Sequence, residues 1–499
     1  MDVFVALMEG FKACFSMTNM LACMFGVIVG TLTGILPGLG STSAMALLLP
    51  LSFGMEPTTA LIMLSGIYYG SMYGGSTTSI LVNVPGESSA VMTCLDGYQM
   101  AKRGRAGAAL AISAIGSFIA GTIGLVLLTM FAPPISTIAL SFGPPEYLAI
   151  ALLGLIILVL LSGSIAKGFM MMLIGVMIGT IGLDPLTGVN RFTLGVGELS
   201  RGIDFVLVAM GVFGLGEVIN MLNEGKQEVE MESVRLRDLY PNKEEVRRSV
   251  NPIVRGSFLG FLCGLIPGPA AVISTFLSYA VEKKVSKNPE EFGHGAVEGV
   301  AGPESANNAA SSAAMVPLLS LGLPFAPPAA ILLSGFLVHG ITPGPSLITD
   351  HPAVFWGLVA SMYIGNVLLL VINLPFVGVL ASLLKTPQEY LVPFIVAITF
   401  IGALATNNSV FDLGVLIFFG FIGFIIKEAG YPPAPLAIGI ILGPIIERSL
   451  IQGLIMGDGN PGYFFMRPVS GIILAAAIVL VGATLLKMVG TVLRNRQPS

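Results

Sequence analysis

Residues 26–38 read GVIVGTLTGILPG and residues 256–268 read GSFLGFLCGLIPG. Three glycines at four-residue spacing, then a proline and its following glycine, coincide in the two segments at a constant separation of 230 residues. Glycines four apart share one helix face and let a neighbouring backbone approach closely. The proline interrupts the helix, because it has no N–H and its ring crowds the preceding turn; glycine tolerates the dihedrals that follow. A small-residue face ending in a break, repeated at the head of each half, points to a duplicated helical domain. Internal repeats with discontinuous helices mark many secondary transporters.

The rest of the chain fits a bilayer. Of 499 residues, 54% are apolar and 10% charged, with a mean hydropathy of +0.89; a soluble domain carries about 25% charge. No Asp, Glu, Lys or Arg occurs in 13–55, 57–86, 106–145, 256–281, 305–338 or 353–384. A charge at the centre of a spanning helix costs about 2.5–3.5 kcal/mol, and a span needs about 20 apolar residues. These runs therefore read as membrane segments. A soluble enzyme, a disordered chain and a nucleic-acid binder are excluded, the last because it needs a basic stripe. A β-barrel is disfavoured, since runs such as 149–161 and 472–486 are apolar throughout rather than alternating. The expected fold is all-α and polytopic, with two homologous repeats, discontinuous or re-entrant helices and about 12 membrane segments.

The boundaries follow from charge. Residues 1–17 form an N-terminal segment, 18–222 the first membrane repeat, 223–251 a charged linker and 252–446 the second repeat. Residues 447–499 supply a loop, a C-terminal anchor helix and a basic tail. The linker holds 13 of the 52 charged residues, including Lys226, Arg235, Arg237, Lys243, Arg247 and Arg248. Lys and Arg collect on the cytoplasmic side, which assigns the linker and the C-terminus to the cytoplasm. The N-terminus lacks a basic region and a small-residue cleavage site, so no cleaved signal peptide is expected. Cys14, Cys23, Cys94 and Cys263 are scattered and read as small buried side chains.

The breaks suggest chemistry. Half-helices starting near Gly38, Gly40, Ser41, Thr42 and Ser43, and near Gly268, Ala270 and Ala271, would turn N–H groups and a positive dipole end toward an anion. The alternative is a packing face with a kink and no ligand. Two further clusters set hydroxyls and amides in apolar surroundings: Ser76, Thr77, Thr78, Ser79 and Asn83, and Glu304, Asn307, Asn308, Ser311 and Ser312. Buried polar groups cost free energy unless paired, and their oxygens suit a small cation such as sodium; interhelical hydrogen bonding is the other reading. We align residues 70–86 with residues 302–312, and Val84-Pro85 with Leu323-Pro324 beyond an insertion near 282–294. The runs 41–53 and 76–84 look too short to cross and are read as re-entrant. Glu56, Glu87 and Asp96 are expected at helix ends near the interface, and Glu304 at depth. Lys427-Glu428 and Glu447-Arg448 are read as border ion pairs. No nucleophile–base set, zinc motif or ATP motif occurs, so an enzyme is not expected. Residues 457–462 formally match GxGxxG but follow an apolar helix and contain Pro461, so they read as a loop.

Gly34-Ile-Leu-Pro37-Gly38-Leu-Gly40, Tyr69-Gly-Ser-Met-Tyr73-Gly-Gly75-Ser, Val84-Pro85-Gly86-Glu87, Asp96-Gly97-Tyr98, Gly264-Leu-Ile-Pro267-Gly268 and Pro303-Glu304-Ser-Ala-Asn307-Asn308-Ala together resemble the large membrane subunit of the tripartite tricarboxylate transporters. The likeness runs from about residue 18 to about residue 450. It implies a multi-pass permease of the bacterial inner membrane, working with a small membrane subunit of four helices and a periplasmic solute-binding protein. It implies carboxylate uptake driven by a sodium or proton gradient, with an elevator-like motion, no cofactor beyond the coupling cation and no nucleic-acid partner. The alternative is a stand-alone ion-coupled permease or channel of another duplicated family.

Overall fold

The computed structural model describes residues 3–36, 39–184, 187–224, 240–376, 379, 388–407 and 409–494. Pro37 and Gly38, most of the linker and the last five residues lie outside the described residues. Along the chain run α1 (Val3–Cys14), α2 (Met17–Ile35), α3 (Ser41–Leu48), α4 (Pro57–Val82), α5 (Val91–Met100), α6 (Ala106–Ala139), α7 (Pro144–Leu160), α8 (Ile165–Gly179), α9 (Phe205–Ala209) and α10 (Gly216–Glu224). After the linker come α11 (Lys243–Gly264), α12 (Ala270–Val285), α13 (Glu298–Ala313), α14 (Met315–Leu321), α15 (Pro327–Val338), α16 (Leu347–Asp350), α17 (Pro352–Asn373), α18 (Gln388–Asn407), α19 (Val410–Glu428), α20 (Pro433–Met456), α21 (Tyr463–Met466) and α22 (Pro468–Arg494). The strands among the described residues are one short antiparallel pair, Gly182–Leu183 with Asn190–Arg191. Six helical segments among the described residues are long and apolar enough to cross a membrane, and several shorter apolar helices accompany them. The protein is an all-α polytopic membrane protein.

Two compact units form, residues 1–139 with 204–430 and residues 140–203 with 431–499. Each draws on both sequence halves, so the compact units cut across the linear division at the linker.

The larger unit is built on α4 and α13. In α4 every residue from Thr58 to Leu81 is buried, and in α13 every residue from Gly299 to Ala313. A helix enclosed on all sides has no polar stripe to show water; α4 mixes Gly, Ser and Thr with Leu, Ile, Met and Tyr and carries no charge, and α13 is mostly Gly, Ala, Ser and Asn. Their partners are the two glycine-faced helices. A Cβ added at Gly26, Gly30 or Gly34 of α2 would strike the carbonyls of Met63, Ile67 and Ser71 in α4. One added at Gly256, Gly260 or Gly264 of α11 would strike those of Gly302, Ala306 and Ala310 in α13. Both ladders advance four residues per step on both helices.

This register corrects two readings. The ladders make residues 63–71 the counterpart of residues 302–310, so the hydroxyl run at 76–79 is not the counterpart of Glu304–Ser312. Nor is 76–84 a separate re-entrant piece: Ser76–Val82 completes the continuous helix α4. Gly66, Gly70 and Gly74 look like breakers in sequence, yet all three sit against the α2 backbone, where close packing outweighs glycine's poor helix propensity.

Helix α11 starts at Lys243, inside the stretch assigned to the linker. The Asn242 side chain accepts the Glu245 N–H at 2.8 Å while Glu245 accepts the Asn242 N–H at 2.7 Å, a reciprocal capping box. In the smaller unit, Gly175 packs on the Leu436 carbonyl, and Arg467 pairs with Glu146 at 2.6 Å. Residues 457–462 form the turn from α20 to α21. The adjacent charges do not pair with each other, because neighbours on a helix point apart. Lys427 bonds Glu217 at 2.7 Å instead, and Glu447 pairs with Arg191.

Gly260→Val forces α11 and α13 apart, an overpacking cost of about 1–3 kcal/mol or more. A lower unfolding temperature in detergent is expected, and an unchanged one contradicts the ladder.

Candidate functional site

Both expected breaks interrupt their helices. Helix α2 ends at Ile35 and α3 begins at Ser41, with Gly38 outside the described residues; α11 ends at Gly264 and α12 begins at Ala270. At the first break the buried Ser41 gives its N–H to Glu87 Oε2 at 2.7 Å and its hydroxyl to Oε1 at 3.0 Å; the Ser71 hydroxyl adds a 3.4 Å bond. Glu87 gets there because α4 ends on Asn83 in the left-handed conformation (φ 60°), after which Val84-Pro85-Gly86 turns the chain back. Gly86 has no room for a side chain, as a Cβ there would meet the Gly34 carbonyl and, at 2.6 Å, Thr78 Oγ1. A carboxylate at a helix N-terminus matches the dipole, so this end is met by the protein's own anion. Gly40 borders the same carboxylate, while Thr42 is half-buried and Ser43 buried.

The second break is pinned in a parallel way by a different group. Gly268 sits at φ 132° and donates its N–H to the Phe325 carbonyl at 3.0 Å. Phe325 follows Gly322 (φ 71°), Leu323 and Pro324. In both halves a left-handed residue ends a run of buried helix and a proline-bearing loop returns to the break. Ala270 is buried and Ala271 half-buried at the start of α12, whose cap residue Pro269 offers no side-chain bond.

Beside the breaks lies a buried polar cluster centred on α13. Glu304, 1% exposed, accepts hydroxyl bonds from Ser76 of α4 at 2.5 Å and from Thr93 of α5. Asn308 donates to Ser117 of α6 at 2.7 Å and to the Glu304 carbonyl at 3.1 Å. Thr78 and Ser79 turn back on the Gly75 carbonyl of their own helix, as Ser311 and Ser312 do on Asn307 and Asn308; Thr77 is buried. Asn83 stands apart, exposed, as the cap of α4. Asn307 is 0% exposed, and neither Oδ1 nor Nδ2 has a hydrogen-bond partner among the described residues. A buried polar group left unpaired costs about 1–3 kcal/mol.

A narrow cleft in this unit is lined by Tyr68, Tyr73, Asn308, Ser311, Ser312 and Asn366, among others. Its cavity volume is about 20 Å3, room for about one water molecule, so it suits a water or a small ion and is too small for a tricarboxylate. Tyr73 donates to Asn366 Oδ1 at 2.9 Å, and Asn366 Nδ2 donates to the Phe118 carbonyl and Thr122 Oγ1. Thr93, Ser117 and Asn366 were missed from sequence; their one signal is a polar side chain in an otherwise apolar helix.

The other acids divide. Glu56 caps α4, as expected, accepting the Thr59 N–H at 3.3 Å. Asp96, expected near the interface, is 0% exposed: its Oδ1 accepts three backbone N–H groups, from Gly293, Gly295 and Ala296, at 2.7–2.8 Å, and its Oδ2 accepts the Tyr279 hydroxyl at 2.9 Å. It holds the loop before α13. Arg255 pairs with Glu282, and Arg248 bonds both Glu298 and Glu291. Glu298, against the opposing effect of burial, and then Glu291 raise the Arg248 guanidinium above its ordinary value. None of these bases reaches Glu304, whose partners are all hydroxyls.

A helical membrane protein with two pinned helix breaks and a base-free polar interior has the architecture of a transporter. The sequence profile of the tripartite tricarboxylate transporter TctA family matches residues 20–438, and the chain belongs to that family. Membership makes it the large membrane subunit of a tripartite tricarboxylate transport system. Two relatives come from Agrobacterium vitis. An uncharacterized 52.8 kDa protein in the TAR-I ttuC' 3'region is 47% identical over 97% of both chains. An uncharacterized protein in the TAR-II ttuC' 3'region is 46% identical, covering 46% of this chain and 94% of its own. No solved structure matches.

Asp96→Ala strips three N–H groups and a tyrosine hydroxyl of their acceptor and is expected to cost about 2–4 kcal/mol. Asp96→Asn, which keeps one oxygen, should cost less. Thermal unfolding in detergent reads both, and an Asp96→Ala melt equal to wild type contradicts the assignment.

Proposed function

We propose that the chain is the permease of a binding-protein-dependent secondary transporter for tricarboxylates or related carboxylates, driven by a sodium or proton gradient. The observation that carries this reading is Glu304: a buried carboxylate held only by hydroxyls, beside two amides, in a region without a basic side chain. A multiply charged anion crossing such a region must be neutralised by something other than Lys or Arg. The helix breaks are already met by Glu87 and the Phe325 carbonyl, so a co-transported cation near Glu304 and Asn307–Asn308 supplies that neutralisation, and Ser76 of α4 belongs to the same cation site.

The partners are a small four-helix membrane subunit and a periplasmic solute-binding protein that delivers the carboxylate. The chain lies in the bacterial inner membrane, with the linker 223–251 and the C-terminus in the cytoplasm. A transporter of this kind needs no resident cofactor and does no covalent chemistry.

Uptake of radiolabelled citrate and of a panel of dicarboxylates by cells expressing the three proteins tests the reading. Uptake should require the binding protein and collapse when the sodium and proton gradients are dissipated. Glu304→Gln, which keeps shape and removes the charge, should lower uptake about 10- to 100-fold. Carboxylate entry that is indifferent to both gradients or to the binding protein overturns the proposal.

A further inference from the structure

The smaller unit contains a cavity of about 120 Å3 that the transport reading leaves without a task. It has room for several water-sized groups. It lies where the C-terminal end of α8, the short strand pair and α20 meet, and its lining includes Leu183, Asp184, Arg191, Glu447 and Arg448. Arg191 gives both terminal guanidinium nitrogens to the Glu447 carboxylate, so these two charges cancel. The Arg191 Nε–H is buried and has no partner among the described residues. Asp184, 7% exposed, accepts the Thr187 hydroxyl at 2.7 Å. Arg448 is exposed, stands eight residues before the end of α20 at Met456, and makes no hydrogen bond or ion pair among the described residues.

Helix α20 is long and apolar enough to span a membrane. A guanidinium on such a helix keeps its proton and needs an anion beside it. With no protein carboxylate taking that place, the bilayer supplies one in the phosphate of a lipid, as basic pockets between membrane helices do for headgroups. The cavity also holds Asp184, and its two guanidiniums and two carboxylates sum to zero charge. A bare anion would meet Asp184 and a bare cation would meet Arg448, whereas a ligand carrying both signs matches each. The surroundings are apolar on the outside. Leu183, part of the lining, is 55% exposed, and Val189, Phe192 and Leu194 of the same loop are 60%, 66% and 92% exposed. Large apolar side chains next to a charge-balanced cavity are the complement of acyl chains next to a zwitterionic headgroup.

We propose that this cavity binds the headgroup of a phosphoethanolamine lipid, the phosphate on Arg448 and the Arg191 Nε–H, the ammonium on Asp184, and the acyl chains along Leu183, Phe192 and Leu194. The negative end of the α8 dipole, at Gly179 and Thr180 of the lining, favours the ammonium as well. A phosphoglycerol headgroup brings the anion without the cation, and a trimethylammonium has no N–H to donate, so both fit less well. The lipid bridges α20 and the strand pair. None of this depends on ion coupling or on the cluster at α13, so its failure leaves the transport reading standing.

The test uses the purified full chain in detergent, stripped of lipid. Native mass spectrometry follows binding of phosphatidylethanolamine, phosphatidylglycerol and phosphatidylcholine with the same acyl chains, with inorganic phosphate or citrate added as competitors. Phosphatidylethanolamine should bind about tenfold more tightly than either other lipid. Arg448→Gln changes an exposed side chain, so it should melt as wild type does without lipid and hold phosphatidylethanolamine about tenfold less tightly. Asp184→Asn makes the site net positive, so the preference should pass to phosphatidylglycerol, a reversal that lost packing does not produce. Undiminished binding by Arg448→Gln overturns the inference, as does an Asp184→Asn chain that keeps the wild-type order of lipids. If Asp184→Asn does not fold, the wild-type order of lipids and the Arg448→Gln result decide. Displacement of the lipid by inorganic phosphate makes the cavity a simple anion site, and displacement by citrate makes it a carboxylate site; either result overturns the lipid assignment.

Discussion

Where water is absent, every amide, carbonyl and hydroxyl has to find its partner inside the protein. The larger unit is organised by that constraint. Its two enclosed helices, α4 and α13, carry an unusual load of Ser, Thr and Asn for buried segments. Several of those hydroxyls, Ser65, Thr78, Ser79, Ser311 and Ser312, bond carbonyls of the preceding turn and so need nothing from a neighbour. The helices can then be held by backbone contact alone, which is what the glycine faces of α2 and α11 provide. Small residues here bring main chains together and leave the few remaining polar side chains at a common depth.

Three acids of the larger unit show how differently a carboxylate can be held. Asp96 is held by three backbone N–H groups and a tyrosine, and Glu87 by the N–H and hydroxyl of Ser41 at the start of a helix and by the Ser71 hydroxyl. Backbone donors have fixed directions, and the three on Asp96 keep that carboxylate where it is. Glu304 is held by hydroxyls, which can rotate and turn a lone pair where a hydrogen had been. A carboxylate among rotatable hydroxyls can take a cation without rebuilding its surroundings; one clamped by N–H groups cannot. That difference separates Glu304 from Asp96, which fastens the loop before α13.

Much of this was written in local sequence. The charge-free runs gave the membrane, and glycine spacing with a following proline gave both helix breaks, because these follow from single-residue properties and short-range periodicity. The continuity of α4 was not legible: Gly66, Gly70 and Gly74 look like breakers until the α2 backbone lies against them. The buried position of Asp96 was not legible either, since a carboxylate next to a turn residue looks the same whether it faces water or closes a loop 200 residues away. Thr93, Ser117 and Asn366 carried too little local signal to stand out.

By itself the sequence determined what the bilayer demands of any chain: all-helical spans, charges gathered in a linker and a tail, and two interruptions placed by proline. Tertiary structure decided which polar groups share a space. Residues from α4, α5 and α6 meet on one helix, α13, and the first break is closed by a carboxylate of the returning loop. It also left Asn307 as the one asparagine on that helix with no partner for either amide atom. Those pairings depend on contacts between residues far apart in the chain, and hydrogen bonding is decided by distance in space, about which spacing along a chain says nothing.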